Sequence, residues 1–329
     1  MKKEVVQKNI ILILLFIAIL FQAIDYFYYE NVFDYKLFNS QGANPNVVFA
    51  KPSDVTIPTE AEVLKGKSNL EIFKYYAQSQ KYIMHAGGSI NKTYYTNSFE
   101  AIDKNYQDGN RIFEIDLNFS SNGDLVLIHS WDAFGYQSIL KKEYPGEVTP
   151  MSTKDFKNTK ISGQFTSMTI KDLINYMKKN PYCYFILNLK QGSKVEITKK
   201  GLNALVKAAN YDKAILNRFI IWGYNAKVIE AAKNIYNFEL ITFSYRDPKD
   251  LPKDLDSYQK IINYCKKNKI TSLIMANGSY DAEMVKLAKK NGIFTFIFTI
   301  DNEKTANNYF NSGVDMVLSN KLVNEKTFP

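Results

Sequence analysis

From residue 81 onward, short apolar runs rich in β-branched and aromatic residues alternate with amphipathic stretches of helical spacing. The runs predict strands at 81–85, 111–118, 124–129, 183–189, 218–222, 238–243, 271–275, 294–299 and 314–318. Between them lie helices with recognisable ends. Ser98 supplies an N-cap for one that Gly109 stops, Thr169 for one that ends before Pro181, and later ones stop at Gly292 and Gly313. Strand and helix in alternation is the pattern of a parallel α/β fold. The nine candidates exceed the eight strands of a barrel, but the turn Ser121-Asn122-Gly123-Asp124 makes the second and third hairpin-like, so one of them is accessory. The expected fold is a (β/α)8 TIM barrel over residues 79–329. Residues 130–167 lack a helical period and contain Pro145-Gly146 and Pro150, so they read as a βα loop over the barrel mouth.

The N-terminus has a different pattern. Lys2, Lys3 and Lys8 precede an unbroken apolar run from Ile10 to Phe21, and no charge falls between Lys8 and Asp25. Tyr26, Phe27, Tyr28 and Tyr29 supply an interfacial aromatic belt for this slightly short span. A cleaved signal peptide is the competing reading, but Phe21-Gln22-Ala23-Ile24-Asp25 offers no good small-residue cleavage site. Residues 1–29 are therefore expected to be a cytoplasmic tip and transmembrane anchor, and 30–78 a linker. By the positive-inside bias, everything beyond about residue 30 is then outside the cytoplasm.

Composition changes this picture little. With 46% hydrophobic and 14% aromatic residues in 329, the chain can bury a large core. The net charge of +9 favours anionic partners. The lysines are scattered along helices and no nucleic-acid motif is present, so no nucleic-acid partner is expected. Cys183 and Cys265 have no CxxC spacing and no histidine partner nearby. They read as buried thiols, with a disulfide as the alternative outside the cytoplasm.

The candidate chemistry lies at strand ends. The chain has two histidines, His85 after Tyr82-Ile83-Met84 and His129 after Leu125-Val126-Leu127-Ile128, and in a barrel such positions face the catalytic rim. Between them runs Arg111-Ile112-Phe113-Glu114-Ile115-Asp116-Leu117-Asn118, whose alternation puts Glu114 and Asp116 on one face. A solvated edge strand would explain the alternation without function. The neighbouring strands all read as buried, however, and two buried carboxylates need a cation or a base. Oxygen ligands of this type suit Mg2+ or Ca2+.

His85-Ala86-Gly87-Gly88, then Thr96-Asn97-Ser98-Phe99-Glu100-Ala101, Glu114-Ile115-Asp116, and His129 with Trp131-Asp132 resemble the opening half of the glycerophosphodiester phosphodiesterase and phosphatidylinositol-phospholipase-C-like barrels. Asn188-Leu189-Lys190, Phe298-Thr299-Ile300-Asp301-Asn302 and Gly313-Val314-Asp315 are similar to the family's later signatures. The resemblance implies Glu114, Asp116 and Asn188 as ligands of a divalent cation, and His85 and His129 as the acid/base pair, with His85 the base. It also implies Lys190, Gly87 and Gly88 as phosphate contacts. Two departures stand out: Ala86 replaces an arginine that grips phosphate, and Asn188 replaces a carboxylate.

The reading that follows is an extracytoplasmic phosphodiester hydrolase. Its substrate would be a glycerophosphodiester, a phospholipid head group or a glycerol-phosphate wall polymer. A phospholipase C-type lipase is the first alternative, with Phe134-Gly135-Tyr136 as candidate rim residues. The second is an inactive barrel that binds phosphorylated surface polymer.

Overall fold

The computed structural model describes residues 58–245 and 257–326. The expected anchor and the linker up to residue 57 lie outside the described residues. Among the described residues no helix is long and apolar enough to cross a membrane.

Eight parallel strands close on one another: β1 (Tyr82–Met84), β2 (Ile112–Phe119), β6 (Tyr184–Leu189), β7 (Phe219–Gly223), β8 (Leu240–Ser244), β9 (Ser272–Ala276), β10 (Phe294–Phe298) and β11 (Met316–Ser319). Closure comes from β1 pairing with both β11 and β2. The second contact is a single register pair, Met84 with Phe113, whereas β2 and β6 share six. The expected strands agree with these to within two residues. The ninth candidate, β3 (Leu125–Leu127), runs antiparallel to β2 outside the barrel, as the hairpin turn implies.

Alternation along each strand sorts the side chains. Phe113, Ile115 and Leu117 of β2 face outward into the cluster shared with the surrounding helices, while Ile112 faces inward with Ile83, Ile186, Phe296 and Leu318. Glu114 and Asp116 have the parity of Ile112, so both carboxylates project into the barrel interior, and both are fully buried. An edge strand is thereby excluded.

The sequence reading runs the linker to residue 78, but the structure folds its last part onto the barrel. Helices α1 (Glu60–Leu64) and α2 (Asn69–Ser79) each start in a reciprocal capping box, Thr59 with Glu62 and Ser68 with Glu71. Their Leu64, Phe73 and Tyr76 plug the end of the interior where Ile112 and Tyr184 start their strands. Each such large buried side chain contributes about 1.5–3 kcal/mol. Glu60 accepts from Arg111 at both carboxylate oxygens, 2.6 and 2.9 Å, and from the Tyr76 hydroxyl at 2.6 Å. That pair ties the plug to the foot of β2.

The segment 130–167 is likewise more than a loop. It holds a π-helical turn at Phe134–Ile139, helix α4 (Thr153–Asn158) and a two-stranded ribbon of β4 (Lys160–Ile161) and β5 (Phe165–Thr166). Trp131, Tyr136, Ile139, Phe156 and Phe165 form a small core over Val126 and Ile128. The hairpin strand leaves the barrel with an apolar face, and this segment covers it. Cys183 and Cys265 are buried free thiols, both pushed up to about 12 by burial.

Candidate active site

The two carboxylates of β2 stand in unequal surroundings. Asp116 Oδ1 receives the Lys190 ammonium at 2.6 Å and the Asn188 amide at 3.1 Å, and its Oδ2 receives the Asn97 amide at 3.0 Å. Burial alone would raise its pKa, but Lys190 and the two histidines outweigh that and hold the carboxyl below its usual range. Glu114 accepts the Ala86 backbone N–H at Oε2, 2.9 Å, and its other oxygen is buried with no hydrogen-bond partner. Burial first, and then the Asp116 charge, push it above the ordinary carboxyl value.

His85 begins a 3-10 turn, His85–Gly87, immediately after β1. Its Nε2 lies 3.7 Å from Glu114 Oε2 and its Nδ1 2.8 Å from Asn320 Oδ1. His129 follows β3 on the hairpin outside the barrel, not on a barrel strand. Its ring still reaches the same mouth through Tyr95, which makes edge contacts with His85 (5.1 Å between centroids) and His129 (5.8 Å). Phe134 packs on both Tyr95 and His129. Burial pushes His129 below the ordinary histidine value, against an opposing pull from Asp116. Its Nδ1 is buried and has no hydrogen-bond partner.

The remaining expected site residues divide. Lys190 is present but paired with Asp116. Asn188 sits beside Asp116, with its carbonyl oxygen already accepting from the Tyr224 hydroxyl at 2.6 Å and its amide hydrogens turned to the carboxylate. In this orientation the carbonyl oxygen keeps one lone pair beyond the Tyr224 hydrogen bond. The Gly88 N–H donates to His85 O at 2.9 Å, so it is engaged within the turn and not directed at a phosphate. Gly88 serves a different need: at φ 86 it lies against Asn105, whose Nδ2 would stand 2.5 Å from any added Cβ. Gly87 meets Ile102 in the same helix. The two glycines thus let the turn approach helix α3 (Phe99–Gln107) closely. Ala86 is fully buried with φ 49, and its N–H donates to Glu114.

A divalent cation is therefore fitted by part of the expected ligand set. Glu114, with its one unpartnered buried oxygen, and Asp116 provide oxygen donors that a dication would satisfy. Among the described residues no third His, Cys, Asp or Glu joins them. Several contributors were not singled out by the sequence. Asn97 clamps Asp116 twice, accepting the Asp116 N–H at 2.9 Å as well as donating to Oδ2. Tyr95, Tyr224, Asn320 and Asp301 come from four separate segments. Only their place in the motifs Thr96-Asn97-Ser98 and Thr299-Ile300-Asp301 could have flagged Asn97 and Asp301.

The glycerophosphoryl diester phosphodiesterase family model matches residues 85–323. No curated protein matches the sequence. Among solved structures, the chain is similar to a phosphodiesterase from Oleispira antarctica in complex with the product sn-glycerol-3-phosphate. Their identity is 17%, the match covers 76% of this chain and 95% of that one, and the TM-score is 0.57. It is also similar to a glycerophosphodiester phosphodiesterase from Parabacteroides distasonis, at 17% identity, 74% and 93% coverage and a TM-score of 0.57.

Proposed function

The chain belongs to the glycerophosphoryl diester phosphodiesterase family and is a phosphoric diester hydrolase of that type, and from this premise we propose that it works outside the cytoplasm on glycerophosphodiesters or glycerol-phosphate-containing surface polymers, using His85 and His129 as its acid/base pair. The observation that carries the mechanism is the convergence of both histidines, both buried carboxylates and Lys190 on one barrel mouth. Glu114 and Asp116 would hold a divalent cation. When bound, that cation supplies polarisation of the phosphoryl oxygen. Lys190 adds positive charge where the anionic phosphodiester enters.

Burial pushes His129 below the ordinary histidine value, which favours its unprotonated ring as the base that takes a proton from the attacking hydroxyl or water. The new O–P bond forms as that proton passes to His129, the opposite P–O bond breaks, and His85, entering the step as the imidazolium, gives its own Nε2 proton to the departing alkoxide. This order reverses the one suggested by the resemblance, and its reason is the desolvation of His129. Surface location is inferred from the lysine-flanked apolar run at the N-terminus.

The lipase alternative draws less support. Tyr136 is buried, with its hydroxyl on Thr149 O, which leaves Phe134 as the exposed member of the proposed rim. The test is release of glycerol phosphate or phospho-alcohol from three panels: deacylated glycerophosphodiesters, a glycerol-phosphate polymer and intact phospholipid vesicles, each with and without chelator. Turnover on either of the first two is expected. Turnover on vesicles alone would transfer the protein to the lipases, and none on any panel would favour the binding barrel.

A further inference from the structure

Beyond the histidine pair, a chain of hydrogen bonds runs away from the mouth behind His85. Asn320, which follows β11, is 7% exposed and lies between His85 and Asp301, a residue of the segment after β10. Asp301 Oδ2 accepts from Asn320 Nδ2 at 2.8 Å, while Oδ1 accepts from the Asn320 backbone N–H at 2.7 Å and from Ser319 Oγ at 3.0 Å. A carboxylate can only accept, so the amide nitrogen of Asn320 must face Asp301. Its oxygen must then face His85 Nδ1, 2.8 Å away. An amide oxygen also only accepts, so Nδ1 must carry the hydrogen.

We propose that Asp301, acting through Asn320, fixes His85 in the Nδ1–H tautomer and so reserves Nε2, the nitrogen on the Glu114 side, for proton exchange with the substrate. Asp301 and Asn320 are positioning residues, since neither faces the reacting atoms. The arrangement serves His85 in either proton-transfer role, because Nδ1 keeps its hydrogen in both the neutral and the charged ring. His129 has no counterpart: its Nδ1 is buried without a hydrogen-bond partner. The inference rests on His85 belonging to the acid/base pair, and its test reads the tautomer independently of turnover.

With two histidines in the chain, the ring-nitrogen spectrum of 15N-histidine-labelled full-length protein contains two systems, which a His129→Gln variant assigns. At a pH where His85 is neutral, the wild type is expected to show a protonated Nδ1 and a bare Nε2. In Asp301→Asn, the new amide keeps its oxygen on the Asn320 N–H and turns its NH2 toward the Asn320 side chain. Asn320 must then rotate and present its own NH2 to His85, which moves the hydrogen to Nε2. The kcat should fall about 10²-fold or more while KM changes by no more than a few-fold, the signature of a misdirected acid/base group.

The double variant Asp301→Asn/Asn320→Asp exchanges amide and acid, and restores an acceptor facing Nδ1. Recovery of the Nδ1–H tautomer and of most of the turnover is expected, and a merely structural role for Asp301 would not produce it. If the single variant does not fold, the double variant decides alone, by the same tautomer. A wild-type Nε2–H tautomer, or Asp301→Asn with unchanged tautomer and kcat, would overturn the proposal. A wild type with the expected tautomer but no phosphodiester turnover would overturn the functional reading instead.

Discussion

Replacing Lys190 by methionine removes the ammonium from Asp116 while keeping most of the side-chain volume. At 2.6 Å, in an effective dielectric of about 20, the gross attraction between the two charges is about 6 kcal/mol. Desolvation of both ions offsets part of it, and the Lys190 side chain is 22% exposed. Breaking a buried pair costs about 3–5 kcal/mol, and the lower end, about 3 kcal/mol, is the better figure here because Asn97 and Asn188 still donate to the carboxylate. In a domain of this size that lowers Tm by roughly 6–12 °C. Because the folded Asp116 carboxyl titrates below its unfolded value, the stabilisation is present above about pH 4 and disappears as pH falls through the folded value. The deficit should therefore be clear at neutral pH and shrink in acid. Thermal unfolding followed by circular dichroism, in chelator and in Mg2+, measures all of this. A dication at Glu114 and Asp116 would take the place of the lost ammonium, so Mg2+ should stabilise the variant more than the wild type; at a hundredfold excess over the variant's Kd its stabilisation is about 2.7 kcal/mol. An unchanged Tm in chelator, or a larger Mg2+ effect on the wild type, refutes the reasoning.

Three further outcomes are expected. His129→Ala and His85→Ala should each lower turnover by about 10²-fold or more with the fold intact by circular dichroism, and kcat/KM of the wild type should rise with pH through a break below 6.5, the value from which burial depresses His129, and fall again at higher pH where the acid partner is no longer protonated; a limb that falls at the lower break instead would return the acid role to His129. Asn188→Asp should tighten Mg2+ binding in calorimetric titration and destabilise the metal-free protein, because a carboxylate replaces an amide that donates to Asp116; equal Kd values would remove position 188 from the metal site. The full-length protein should fractionate with membranes and expose its barrel to added protease on cells with a permeable wall. A mature N-terminus beyond residue 25 would contradict the anchor.

Much of the site was legible because barrel geometry converts a one-dimensional alternation into a location. Glu114 and Asp116 had to face the interior once Ile112 and its neighbours did, and the Asn122-Gly123 turn marked β2 and β3 as a hairpin with one extra strand, without saying which. The two capping boxes that start α1 and α2 went unread, because they sit in a stretch whose overall period is weak and composition pointed to a linker. The contacts of Asn320 and Tyr224 were beyond reach. Asn320 meets His85 across 235 positions, through β11 and β1, whose adjacency is set only by closure, and Tyr224 reaches Asn188 across 36, from the end of the neighbouring strand β7. The same holds for the orientation of Asn188. Its residue type permits a metal-facing oxygen, and only the Tyr224 hydroxyl decides where that oxygen goes.

The single register pair joining β1 to β2 gives Glu114 a second occupation. Where the next rung of the ladder would fall, β1 has already turned aside, and the Ala86 N–H finds a side-chain carboxylate in place of a backbone carbonyl. The barrel wall is thus stitched at its weakest seam by one of the carboxylates proposed to hold the cation. The backbone ladder stops there, and the carboxylate that takes up the freed N–H holds the two strand ends together. Truncation to alanine at position 114 consequently undoes the stitch together with the charge, whereas glutamine keeps an oxygen for the Ala86 N–H and removes the charge alone.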